Sequence, residues 1–166
     1  MKPFRVTSVL LASAFLACCG RVHAKPAQLP VACQTLIAKS FPSWKPVEPA
    51  ADVVAWAKSQ KFNPVIAVGD FDENGQSDWA IIGADGKKGK VVLCLSQGTK
   101  IVLAVAEDDG CTDLIYSLGA KAKVFNNDTG KDEVLKRDSV ATLCFEKSGR
   151  VFSLENGKFR VFFNSD

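Results

Sequence analysis

The sequence is almost without histidine. Its single one, His23, lies in the first two dozen residues. Beyond that point no Ser-His-Asp or Cys-His nucleophile system can be built, and no zinc site that uses histidine. Long apolar runs are also missing. Val6 to Cys19 is apolar over 14 residues, short of the ~20 that span a bilayer as a helix. There is no internal repeat, no low-complexity tract and little surplus charge.

That short run has a different reading. Lys2 and Arg5 precede it, and Val22-His23-Ala24 follows with residues suited to positions −3 and −1 of a cleavage site. The pattern predicts a signal peptide over 1–24, cut after Ala24, and a periplasmic or secreted protein. Phe15-Leu16-Ala17-Cys18 also loosely resembles a lipobox, in which Cys18 would carry a lipid anchor. Phe15 stands where leucine is usual, so cleavage after Ala24 is the preferred reading. Without Lys2, Arg5 and Arg21, the formal charge of +3 falls to zero, with 18 basic and 18 acidic side chains. A neutral chain has no case for a nucleic-acid partner, which needs a basic face.

Export also bears on the cysteines. Cys33, Cys94, Cys111 and Cys144 remain after cleavage. In an oxidising compartment they predict two disulfides, with three connectivities open. No two of them are close enough in sequence for the short-spaced ligand pair of an all-cysteine zinc site.

The rest divides into a flexible leader, 25–30, and one domain, 31–166. Cys33, Leu36, Ile37 and Phe41 repeat at helical spacing from Pro30, and Pro42 ends the pattern. Ser43 to Pro46 reads as a linker. A second helix is expected over Pro49 to Gln60, with Val53, Trp56 and Ala57 facing the core. Strands are then expected at 65–68, 79–82, 90–96, 100–106, 122–125, 139–146, 150–154 and 158–163, while 114–118 is ambiguous. Gln97-Gly98-Thr99 reads as a three-residue hairpin loop and Asn156-Gly157 as a type I′ turn. Glu107-Asp108-Asp109 reads as a solvated acidic turn. The expected fold is α+β: two N-terminal helices packed on one face of an antiparallel β meander of about seven strands.

One stretch carries chemistry. Asp70, Asp72, Asn74 and Asp78 stand at positions 1, 3, 5 and 9 of a loop whose sixth residue is Gly75. This is the spacing with which a short loop wraps a calcium ion. Asp70, Asp72, Asn74 and Asp78 would each offer a side-chain oxygen, and Gln76 its backbone carbonyl. Position 12 is Ile81, where an EF-hand carries a bidentate glutamate, so the expected affinity is modest. The same residues also form a good metal-free turn, because Asx side chains cap their own backbone.

Gly69-Asp70-Phe71-Asp72-Glu73-Asn74-Gly75-Gln76-Ser77-Asp78-Trp79-Ala80 resembles the FG-GAP type of calcium loop, GDFDGDGxxDxA, and the first half of a dockerin loop. The resemblance implies Ca²⁺ held by Asp70, Asp72, Asn74, Gln76 and Asp78. Glu73 replaces the glycine usual at that place. A propeller needs repeated blades, and this chain has one copy. The wider chain resembles small exported bacterial proteins of unassigned role, through Phe41-Pro42-Ser43-Trp44 and Phe145-Glu146-Lys147-Ser148.

The leading expectation is therefore an exported, non-enzymatic domain that binds one calcium ion structurally. The alternative is a periplasmic binding, inhibitor or immunity-type protein that neutralises a cell-wall hydrolase or toxin through an unidentified protein partner. An enzyme would have to rely on carboxylates. Asp113, Glu146 and Glu155 are available, but no pattern favours them, and no catalytic residue is assigned. Trp44, Trp56 and Trp79 read as core anchors.

Overall fold

A computed structural model describes residues 28–108, 112–144 and 148–164. The segment that holds the expected export signal and Cys18 falls outside these residues, as do Cys111 and Glu146. Among the described residues are two helices and eleven strands. None of these helices is long and apolar enough to cross a membrane.

Helix α1 (Val31–Ser40) follows Pro30 and buries Cys33 and Ile37, four residues apart and so on one face. Helix α2 (Ala51–Ser59) buries Val53 and Ala57. Trp56, expected in the core, stays 36% exposed. Its ring meets Phe62 edge-on at 5.6 Å, and Phe62 leans on Tyr116 at 5.8 Å.

The first sheet contains β1 (Trp44–Pro46), β2 (Ile66–Gly69), β3 (Asp78–Asp85), β4 (Lys88–Gln97) and β5 (Lys100–Glu107). Strand β4 runs beside β3, and β5 beside β4. On its other edge β3 is shared: β1 pairs with residues 83–85 and β2 with residues 78–81. The second sheet contains β6 (Leu114–Leu118), β7 (Lys123–Asn126), β8 (Lys131–Val134), β9 (Ser139–Cys144), β10 (Ser148–Glu155) and β11 (Lys158–Asn164), in the order β6-β9-β10-β11-β7-β8. Every pairing is antiparallel.

The expected meander of about seven strands under two helices is thus incorrect. The protein is mostly β, with two antiparallel sheets. Its main core brings Ala80, Ile82 and Leu93 of the first sheet together with Ile115, Val140 and Phe152 of the second. Helix α1 covers the opposite face of the first sheet, where Cys33 and Ile37 meet Ile81, Val92 and Cys94. Strands β3 and β4 are therefore covered on both sides. That is why Val91-Val92-Leu93-Cys94-Leu95 is an unbroken buried run rather than an alternating one.

Smaller corrections share a cause. The supposed linker over 43–46 contains β1, whose closing proline is tolerated at a strand end on a sheet edge. Strand β8 is polar and mostly exposed, so no apolar signal marks it. Gln97 pairs with Lys100, which shortens the hairpin loop to Gly98-Thr99. At the last hairpin Asn156 and Gly157 have φ of 50° and 74°, the two positive values a type I′ turn requires. Asp108 is buried rather than solvated, and Arg150 of β10 meets it at 3.1 Å.

Of the open disulfide pairings, Cys33–Cys94 is formed, with Cα atoms 5.8 Å apart, and it ties α1 to β4. Cys144 is disulfide-bonded as well. The first bridge closes a loop over 61 residues of separation, for which chain entropy gives a stabilisation of about 4 kcal/mol. A Cys33→Ala, Cys94→Ala double variant should lose about 2–4 kcal/mol in urea unfolding. A loss below about 1 kcal/mol would show that packing alone holds α1 on the sheet.

Candidate metal centre

The acidic loop is the connection of a β hairpin. Gly69 of β2 pairs with Asp78 of β3, and residues 70–77 turn the chain between them. Two residues in the turn take left-handed backbone, Glu73 at φ 61° and Gly75 at φ 81°. Gly75 does so without steric cost. Glu73 stands where the resembled motif has glycine, and its positive φ supplies the reason for that preference. Its carboxylate is held at 2.8 Å by Arg137, from the loop between β8 and β9.

Side chains within the turn cap its backbone. Asp70 accepts the N–H of Asn74 at 3.0 Å and of Gly75 at 2.9 Å. Asp72 accepts from the Asn74 side-chain amide at 3.0 Å. That amide also donates to the Ser96 carbonyl, and its Oδ1 accepts the Gln76 N–H at 2.8 Å. Gln76 joins the network through this N–H and is otherwise exposed.

Asp78 differs from the others. It is fully buried. One oxygen accepts the Phe71 N–H at 2.9 Å and the other the Ser96 N–H at 2.7 Å. Burial pushes its carboxyl above the usual range, and the charges of Asp72 and Asp70 push the same way. The two backbone N–H groups oppose the shift.

Carboxylate oxygens of Asp70, Asp72 and Asp78 lie within 4.8 Å of one another. Calcium binds oxygen at ~2.3–2.6 Å, so two oxygens on one ion can be at most about 4.6–5.2 Å apart. The three carboxylates fit a shared ion by this measure. In the arrangement described, Asn74 turns its amide nitrogen, not its oxygen, towards Asp72. Ile81, at loop position 12, is buried beneath α1 and offers no ligand.

The second sheet braces the loop in a way no local motif signals. Asp138 accepts the Asp70 N–H at 3.2 Å and the Ala120 N–H at 3.1 Å. Ser117 Oγ donates to the Val68 carbonyl at 2.7 Å. Arg137 also donates to the Leu154 carbonyl at 2.8 Å. These residues lie 49 or more positions from the groups they hold on the β2 side.

The other acidic candidates are dispersed. Glu155 is held by Arg160 at 3.3 Å. The Asp113 N–H donates to the Leu143 carbonyl at 2.9 Å, just before β6. No family model, no curated protein and no solved structure matches the chain.

Asp78→Asn would replace one acceptor oxygen by a donor that faces a backbone N–H. Leaving that N–H unsatisfied in a buried site should cost about 1–3 kcal/mol in chemical denaturation. Asp72→Asn, at a half-buried position, should cost less than half as much. Equal losses would show that the Asp78 hydrogen bonds are not the stabilising feature.

Proposed function

We propose that the chain is an exported, non-enzymatic domain whose 70–78 loop holds one calcium ion as a structural clasp of the FG-GAP type. The observation that carries this reading is the convergence of Asp70, Asp72 and Asp78 within 4.8 Å. Three carboxylates drawn together repel, and a divalent cation among them removes that cost. Calcium accepts such a hard, all-oxygen site with flexible geometry. Magnesium demands a strict octahedron and gives up water reluctantly. The ion would take oxygens from Asp70, Asp72 and Asp78. A half-rotation of the Asn74 amide would add a fourth, and the Gln76 carbonyl a fifth.

Bound there, calcium would stabilise the folded chain by linkage. At ten times Kd the gain is about 1.4 kcal/mol, which raises Tm by roughly 4–6 °C for a domain of this size. The ion joins the start of β3 to a turn already braced by the second sheet. Its role in this reading is to hold the β2–β3 turn in place rather than to act on a substrate.

Thermal melts of the purified chain should shift upward with millimolar CaCl₂ and return with chelator, while MgCl₂ has a smaller effect. Asp70→Asn with Asp72→Asn should abolish the shift. An unchanged Tm at ten millimolar calcium, with no heat in isothermal titration, would sink the proposal. Export makes a separate prediction: mass spectrometry of the exported protein should find a mature N-terminus at Lys25. A lipid-modified Cys18 at the N-terminus would show the anchored form instead.

A further inference from the structure

A second concave feature lies away from the acidic loop. It lies where two edge segments meet on β3. β1 ends opposite Gly83, β2 begins opposite Ile81, and the Val47 N–H bonds the Ile82 carbonyl between them. Residues of α1 stand over this junction and bound a groove of about 820 Å³. Small-molecule sites usually fall at ~300–1,000 Å³.

The groove is built rather than incidental. Ile37, Ile66 and Ile81 line its apolar part, and Phe41 and Trp44 add ring surfaces whose centroids are 6.0 Å apart. The Trp44 ring lies against Gly83, where a Cβ would come within 2.4 Å of it. Any larger residue at 83 would displace that wall. Cys33–Cys94 fixes α1 to β4 and so holds that side of the groove in place.

Charge decides the class of occupant. Among the described residues that line it none is ionisable, although 23% of the chain is charged. Lys90 stands over the Phe41 ring at 5.6 Å but is not itself a lining residue, and it shares Glu107 with Lys88. A charged ligand would lose its hydration here and gain no counter-charge from the lining described. Gln28, Gln34 and Asn63 are the polar residues of the lining; Asn63 Oδ1 accepts the Val65 N–H at 2.9 Å, and Gln34 Nε2 donates to the Leu29 carbonyl at 2.7 Å. We propose that this groove binds an uncharged, mainly apolar small molecule whose single polar end faces Gln28 and Gln34.

The uncharged dye phenylnaphthylamine and its sulfonated, anionic counterpart provide the test on the full chain. The neutral dye should bind saturably with one site per chain. The anionic dye should bind more weakly by at least about tenfold. Ala38→Trp, which fills the groove from an exposed position on α1, should weaken the neutral dye by a similar factor while circular dichroism stays unchanged. Should that variant misfold, energy transfer to the dye gives an independent reading, and it should fall markedly in Trp44→Phe. Unsaturable binding, equal affinity for both dyes, or undiminished transfer in Trp44→Phe would overturn the proposal. So would a concentration-dependent dimer that displaces the dye, which would make the groove a contact between copies.

Discussion

The buried carboxylate of Asp78 is where the loop and the fold meet. It begins β3, the strand that faces both cores, and its two oxygens accept N–H groups from opposite sides. One comes from Phe71, within the loop, and the other from Ser96, near the end of β4. A carboxylate so placed fixes the turn relative to the β3–β4 pair. It also sets the electrostatic problem of the site, since a buried charge is costly and two further carboxylates stand beside it. The hydrogen bonds offset part of that cost, and a calcium ion would offset more.

The same strand explains the two concave features. Both arise at the edge of β3 that does not face β4. At its start the chain reaches that edge through the acidic hairpin. In its middle β2 gives way to β1 on that edge, and residues of α1 stand over the junction. Coverage by α1 on one side and by the second sheet on the other removes β3 and β4 from water. The buried acids stand at strand ends, Asp78 at the start of β3 and Asp108 just past β5, and each has a specific partner. The disulfide strengthens this layering by joining the roof helix to a central strand.

Much of the local structure was legible before the folded chain. Pro30 and Pro42 bracket α1, and the spacing of Cys33 and Ile37 marks its buried face. Asn156-Gly157 announces a hairpin, and the Asp-x-Asp-x-Asn-Gly spacing marks the turn that Asp70, Asp72 and Asp78 share. Other features had no local signal. Strand β1 is short and ends in proline, and β8 is polar, so neither shows strand periodicity. Asp108 looks like part of a solvated run until Arg150, 42 residues away, is placed beside it. Asp138 and Arg137 have nothing in their neighbourhood to mark them as braces of a loop some 65 residues earlier.

The sequence by itself determined the chemistry available to this protein. It excludes histidine-based catalysis beyond residue 23, and it sets the oxygen spacing of the loop and the backbone conformations its glycines permit. These follow from residue type and from separations of a few positions, which local geometry controls. Only the tertiary structure decided that the strands form two sheets rather than one meander, that Cys33 bonds Cys94, and that an uncharged groove opens under α1. Those outcomes depend on pairings between distant segments, and burying both faces of β3 and β4 is what selects them.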